Sequence, residues 1–471
     1  MKCSINCLGC WVCIRKFVFN RRFHLLIFLF SFLILTIFKI DSDLGWHLAM
    51  GREFLETGKI VIFDHFSWTM PGYRWGNSYF LYQIFVTLIF NNLGHIFLGL
   101  LFGFLASVSV LILLPKKLDF SKVFIVFLGV GLASMLLGVR PHTISFLAFS
   151  ILLVFLDRRF FEKWKHIFLW LLLFAIWVNF HRGFLAGLTV LSFYLILDFL
   201  ESKKNFLIKA GCLFAAVLGT ILSPAPFDLW KSAVFFDLTS RQNLTSIAEW
   251  QSTAIYFPIN LLYAFSGLIF VYILFKNFKR IPPILFLTAS FIFAFGFLAI
   301  TFVFFWSAIF IFIGTRYFSF KVDFKSFWVK LPIITSSSAA FISIFLYFIL
   351  QLLQSSNLKT QLFFDGYPYT AVEYLKKENL TKNLFNEYVW GGYIDWQFSE
   401  AKVFIDGRMA SWNKSGRNIL GDYIEISKGN CELAKNYDIK VALIKKDEKM
   451  PCFSNWRKIY EDSTAVIFKK N

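Results

Sequence analysis

Two carboxylates two residues apart, Asp41 and Asp43 in DSDLGWHL (41–48), are the part of this 471-residue chain best suited to chemistry. Carboxylates so spaced can share a divalent cation such as Mg or Mn, or hold a base beside a cationic partner. Either role suits transfer of a group to an acceptor hydroxyl or amine. An Asp before an apolar-periodic run is also what a helix N-cap looks like. One carboxylate satisfies a cap; the second is left for another role. Further along come Arg140-Pro141-His142 and the group Asn179, His181, Arg182. An arginine can hold a phosphate bidentately, so Arg140 and Arg182, with His181, are candidates for a phosphate site. His47, Asp64, His142, Asn179 and Glu249 are the remaining pocket candidates. The ordinary alternative for each alone is a solvated loop or a snorkelling headgroup anchor. An arginine with a histidine beside it, on a sparsely basic side, fits anchoring less well.

The elements that must position these residues are apolar. Hydrophobic residues make up 57% of the chain, aromatics 20% with 64 Phe, and charged residues only 16%. Ordinary soluble domains are about 45–50% apolar and about 25% charged. A single soluble globule of this length cannot hide so much apolar surface. The composition excludes a cytosolic enzyme, a disordered chain and a disulfide-rich secreted domain. The net charge of +19 could suggest nucleic acid. The basic residues instead fall in short clusters between apolar runs, so membrane lipids are the expected partner and nucleic acid is not.

Residues 24–40 form the first apolar run, preceded by Arg15, Lys16, Arg21 and Arg22 and followed by acidic residues without a small-residue cleavage site. This reads as an uncleaved anchor after a cytoplasmic tail (1–23). Further runs lie near 95–114, 122–138, 143–156, 167–179, 184–200, 206–222, 257–275, 282–299, 302–319 and 331–352. Residues 79–92 are short for a span and read as an interfacial helix. With the N-terminus inside, the inner loops collect Lys116, Lys117, Lys122, Arg158, Arg159, Lys163, Lys165, Lys203, Lys204, Lys209, Lys276, Lys279, Arg280, Arg316, Lys321, Lys325 and Lys330. The short outer loops hold Arg140, Arg182, Lys231 and Arg241. The asymmetry fixes the orientation and puts all the candidate chemistry on the outer side.

The expected fold is an α-helical polytopic membrane protein of about 11 transmembrane helices, with a transmembrane domain (24–352), a long first external loop (41–78) and a small C-terminal α/β extracytoplasmic domain (353–471). Leu44, His47, Leu48, Gly51 and Leu55 fall at helical spacing before Gly58, predicting an amphipathic helix on the membrane surface. Trp68 and Trp75 read as interfacial belt residues, and loop 223–256 could cover the pocket. In the C-terminal part, 369–379 and NILGDYIEIS (418–427) read as helices. KVFIDGR (402–408), DIKVALIKK (438–446) and TAVIFKK (464–470) read as strands, the first ending in a turn. Cys431 and Cys452 can pair if the compartment is oxidising, or remain two free thiols. Cys3, Cys7, Cys10 and Cys13 match no closed metal-binding spacing. The chain shows no GxxxxGK[ST], strand-linked GxGxxG, HExxH or GxSxG.

The loop DSDLGWHLAMGREFLETGKIVIFDHFSWTMPGYRW resembles the opening loop of bacterial multi-spanning membrane proteins of the C-type glycosyltransferase fold. These are related in architecture to protein mannosyltransferases and lipid A sugar transferases. VRPHTISF (139–146), WVNFHRGFLAGL (177–188), AEWQS (248–252), LFNEYVWGGYIDWQF and KVFIDGR resemble further elements of that group, in the same order. The resemblance implies a glycosyltransferase of the bacterial inner membrane, N-terminus cytoplasmic and C-terminal domain periplasmic. It implies a polyprenyl-phosphate sugar donor and a lipid, glycan or protein acceptor. It maps an acidic base or metal ligand to Asp41 and Asp43, the arginine of an Arg-Pro motif to Arg140, and an Asn-x-His motif to Asn179 and His181. Arg182 stands where a small residue is expected, which sets this pocket apart. Gly391-Gly392-Tyr393 and Asp406-Gly407-Arg408 match tail motifs, and two roles stay open for them: shaping the domain, or binding the acceptor. The rival functions are a transporter or flippase for a lipid-linked glycan and a non-catalytic envelope assembly protein.

Overall fold

The structure, a computed structural model, describes residues 22–233, 246–320, 327–414 and 416–471. Cys3, Cys7, Cys10, Cys13, Arg15, Lys16, Arg21, Arg241, Lys321 and Lys325 lie outside the described residues. The chain opens with α1 (Arg22–Leu35). It continues through α2 (Leu44–Thr57), α3 (Phe80–Leu113), α4 (Phe120–Ser134), α5 (Pro141–Asp157), α6 (Ile167–Val178), α7 (Phe184–Ser202) and α8 (Phe206–Ile221). After the short α9 (Pro226–Lys231) come α10 (Ile259–Asn277), α11 (Pro283–Leu298), α12 (Val303–Tyr317) and α13 (Phe327–Gln354).

Local sequence explains several boundaries. Asp119 caps α4, its carboxylate accepting from the Lys122 amide at 3.2 Å. Pro141 occupies the first turn of α5, where a missing N–H costs nothing. Gly94 breaks α3 with φ 80° and ψ 174°, separating 80–93 from the apolar stretch that follows. Helix α2 ends as expected on Gly58 in the left-handed conformation.

Among the described residues, four helical segments are long and apolar enough to cross a membrane: α3, α7, α10 and Ile300–Tyr317. A fifth is added if the segments Ala339–Gln354 and Leu358–Phe364, bent by 114°, count as one span. The other apolar helices are 10–17 residues long, short of the roughly 20 residues a span needs. The expected count of eleven is therefore not confirmed. Helix α12 is buried without interruption from Val303 to Thr315 and packs on α4 at the centre of the bundle.

The C-terminal domain contains α14 (Leu358–Phe364), α15 (Tyr369–Lys377), α16 (Gly391–Gln397), α17 (Ile419–Lys428) and α18 (Cys431–Asn436). Its sheet is built from β1 (Leu384–Asn386), β4 (Val441–Lys445), β5 (Arg457–Glu461) and β6 (Ala465–Lys469), in the order β1-β4-β6-β5. β1 runs parallel to β4; the other pairings are antiparallel. A separate two-residue hairpin joins β2 (Asn413–Lys414) to β3 (Arg417–Asn418). Cys431 and Cys452 form a disulfide.

Three local expectations change. KVFIDGR is not a sheet strand. It is an extended segment bridging the first loop, with Val403 N donating to Phe66 O at 3.0 Å and Trp68 N to Val403 O at 3.1 Å, before a 3-10 turn over Gly407–Ser411. Helix α2 does not present one apolar face: residues 44–51 are all buried, wedged between α3 and α16. Trp75 is buried, and the Trp68 indole donates to Leu384 O at 3.0 Å, so both serve the domain contact instead of a membrane belt.

The physical reason is one shared core. Trp46, Leu48, Met50 and Trp75 of the first loop belong to the same apolar cluster as Phe385, Phe404, Leu443 and Ile467 of the C-terminal domain. A buried ion network locks the two. Arg408 pairs with Asp406 at 2.5 Å and with Asp64 of the loop at 2.9 Å, with no exposed side-chain surface on any of the three. Removing one member of such a network leaves uncompensated charge. Arg408→Met should therefore destabilise the protein by roughly 3–5 kcal/mol, read as a lowered thermal midpoint in detergent.

Candidate active site

Asp41 leaves the segment after α1, and Arg140 stands immediately before α5. They meet across 99 residues of chain: Arg140 Nε donates to Asp41 Oδ2 at 2.6 Å, and Nη2 pairs with the same oxygen. Nη1 donates to Glu249 Oε1 at 2.9 Å. One guanidinium thus lies between carboxylates from two separate loops. Asp41 Oδ1 accepts from the Asp43 amide at 3.1 Å, which fixes the turn between them.

Asp43 is half-buried behind this pair. Burial, then the charges of Asp41 and Glu249, push its carboxyl from the ordinary 3.8 up to about 7; the Trp46 indole and Arg140 pull the other way. The carboxylate faces the turn at Gly407, where an added β-carbon would lie 2.9 Å from Asp43 Cγ and 3.2 Å from Trp46 Nε1.

His142, two residues after Arg140, lies with its Nε2 3.8 Å from Glu249 Oε2, and His181 packs on it with ring centroids 4.5 Å apart. Trp177 can only donate, and does so to Ser145 Oγ at 2.7 Å. The Ser145 proton therefore goes to His181 Nδ1, 2.7 Å away, and the Gly183 amide donates to the same nitrogen at 3.2 Å. With Nδ1 an acceptor, the neutral ring carries its proton on Nε2.

A cavity of ≈ 1010 Å³ opens at Asp41, Ser42 and Arg140. Ile37, Met135, Leu137 and Val139 of the helical bundle line one side. Tyr367, Trp390, Lys445, Lys446, Ser463 and Thr464 of the C-terminal domain line the other, with Asp365, Asp447 and Glu448. Lys39 also reaches it.

Asp43, His142, His181 and Glu249 adjoin Asp41 and Arg140 without lining this cavity, and other candidates lie further apart. Arg182 lines a second cavity, ≈ 230 Å³, with Tyr73, Arg74, Trp75, Asp228 and Trp412. Asn179 ties helix ends together, donating to Ala175 O and Leu222 O, both at 2.9 Å. His47 is buried among Trp46, Tyr79 and Tyr82, and burial, helped by the Arg408 charge, holds it well below its ordinary pKa. Asp64 belongs to the interdomain ion network. Among the described residues no three His, Cys, Asp or Glu side chains converge as a metal site. Sequence reasoning missed Ser145, Trp177, Lys445 and Lys446, and named Gly407 only within the Asp-Gly-Arg motif, without its contact to Asp43. The two lysines at a strand end were a readable signal.

An apolar helical bundle is thus capped by a small mixed domain over a charged cavity. In structure the chain is similar to the archaeal oligosaccharyltransferase AglB from Archaeoglobus fulgidus, determined in complex with an inhibitory peptide and a dolichol-phosphate. The TM-score is 0.55 and the identity 11%, over 91% of this chain and 70% of that one. At that identity the likeness is one of fold. No protein-family profile matches the sequence, and no curated protein does.

Because the Asp43 pKa is raised on folding, the folded protein holds a proton that the unfolded chain releases near 3.8. Its stabilising contribution is complete below that value and is lost as pH rises through about 7. Thermal midpoints should fall from about pH 5 to about pH 8 in the wild type, and fall less in Asp43→Asn.

Proposed function

We propose that the protein is a membrane glycosyltransferase that moves a sugar from a polyprenyl-phosphate-linked donor to a lipid, glycan or protein acceptor. The observation that carries this reading is the cavity at Asp41 and Arg140, which brings apolar residues of the bundle together with charged and hydroxyl side chains. A donor with an isoprenoid tail and a phosphate-linked sugar needs both kinds of lining. The setting we propose is a bacterial inner membrane, N-terminus cytoplasmic and C-terminal domain periplasmic, supported by the basic clusters of the inner loops.

In this mechanism Asp43 takes the proton of the acceptor hydroxyl or amine as that group attacks the anomeric carbon. The bond from that carbon to the phosphate oxygen breaks, and polyprenyl phosphate leaves with the electron pair, inverting the centre. Arg140 neutralises the phosphate. Glu249, about one-third exposed, is the anion a phosphate would replace on Nη1. Asp41 holds Arg140 and the Asp43 turn in place. His181, with His142, offers its Nε2 proton behind the arginine. Arg182, in its own cavity, is assigned to sugar or phosphate groups more distant from the bond that breaks.

A divalent cation on Asp41 and Asp43 would have to displace Arg140 from Asp41, so no step is routed through one. Transfer should persist in EDTA; loss reversed by Mg or Mn would give the neutralising role to a cation.

The decisive measurement is sugar transfer from a radiolabelled polyprenyl-phosphate sugar by purified protein in lipid vesicles without any gradient. Asp43→Asn should cut turnover by about 10²–10⁴-fold while the protein stays folded and inserted, and Arg140→Ala should raise the donor KM. Activity of the wild type should rise with pH through about 7 as Asp43 ionises. Undiminished transfer by both Asp41→Asn and Asp43→Asn would defeat the mechanism.

A further inference from the structure

We propose that Gly407 is a positioning residue: its missing side chain forms the slot that holds the Asp43 carboxylate, so that the C-terminal domain completes the reaction centre. The inference rests on Asp43 being the base.

Conformation does not explain the glycine. Gly407 begins a 3-10 turn and is not among the residues with positive φ, so its backbone is open to any amino acid. Space explains it. A β-carbon here would collide with Asp43 Oδ1 and approach Trp46 Nε1. The backbone that carries this oxygen is fixed, because the Asp43 amide is held by Asp41, so only rotation of the side chain can relieve the contact.

The turn cannot give way either. Asp406 Oδ1 accepts from the Arg408 amide at 2.8 Å and from Arg408 Nε at 2.9 Å. Arg408 is anchored on Asp64 of the same loop that carries Asp43. On the other side Gly391 packs directly on the backbone of Ile405 and Asp406. The Asp-Gly-Arg turn is therefore clamped at both flanks, with its open position aimed at the carboxylate. A methyl at position 407 must drive the carboxylate out of its slot toward water.

The test is a double-mutant cycle in full-length protein, reconstituted in lipid nanodiscs. Gly407→Ala should lower the thermal midpoint by at least about 3 °C, and by much less in an Asp43→Ala background, because the collision partner is gone. If Gly407→Ala alone does not fold, the double variant should. Equal losses in both backgrounds, or a double variant that also fails to fold, overturn the proposal. Infrared pH titration supplies the readout that a purely structural glycine would not move. The wild type should show a carboxyl band titrating near 7 that Asp43→Asn lacks. In Gly407→Ala its midpoint should drop by about one pH unit or more; an unchanged midpoint in folded protein overturns the proposal. Neither readout needs a substrate, so both fail independently of the transferase reading, which is judged by sugar transfer in Asp43→Asn.

Discussion

Charge removed from water must be balanced nearby, and the whole upper part of this molecule is arranged around that constraint. Two arginines meet it in the same way. Arg140 lies between Asp41 and Glu249, and Arg408 between Asp406 and Asp64. In each case two carboxylates share one guanidinium. Asp43 touches both groups, its amide held by Asp41 and its carboxylate against Gly407. Burial is the first cause of its raised pKa, and the charges of Asp41 and Glu249 add to it against the pull of Arg140. A carboxyl poised near neutrality is what general-base chemistry requires.

Such an arrangement needs the first loop and the C-terminal domain to approach at backbone distance. Glycines make that approach feasible. A β-carbon on Gly45 would strike the Gly392 carbonyl, and one on Gly392 would lie 2.9 Å from Ser42 O. Around these contacts the Asp365 carboxylate accepts from the Ile40 amide at 2.8 Å, and the Tyr367 hydroxyl donates to Ile40 O at 3.2 Å. The acidic motif is thereby held from the tail on both sides. The common apolar cluster of loop and domain supplies the burial that makes these polar contacts rigid.

Helical periodicity revealed α2 and its Gly58 cap, and the apolar runs revealed a membrane protein. The alternating tail revealed a small mixed domain. Partners were not legible, because spacing reports which face a residue shares within its own element, not what lies opposite. Arg140 and Arg182 have similar surroundings in sequence, each beside a histidine, yet they line different cavities. KVFIDGR has the composition of a strand but pairs with the loop at Phe66 and Trp68, 335 or more residues from its own sequence neighbourhood, where no local signal reaches. Glu249 was legible as a pocket candidate, but its pairing with Arg140 is a property of the fold.

A polar group inside an apolar bundle needs a partner within the protein, and the central helix α12 shows how this is met between Val303 and Thr315. Its Ser307 hydroxyl donates to Gly129 O at 2.7 Å and its Thr315 hydroxyl to Ile311 O at 2.7 Å, so both are satisfied within packed protein. The Asp43 carboxyl and the ion pairs of Arg140 lie together at one end of the bundle, beneath the C-terminal domain.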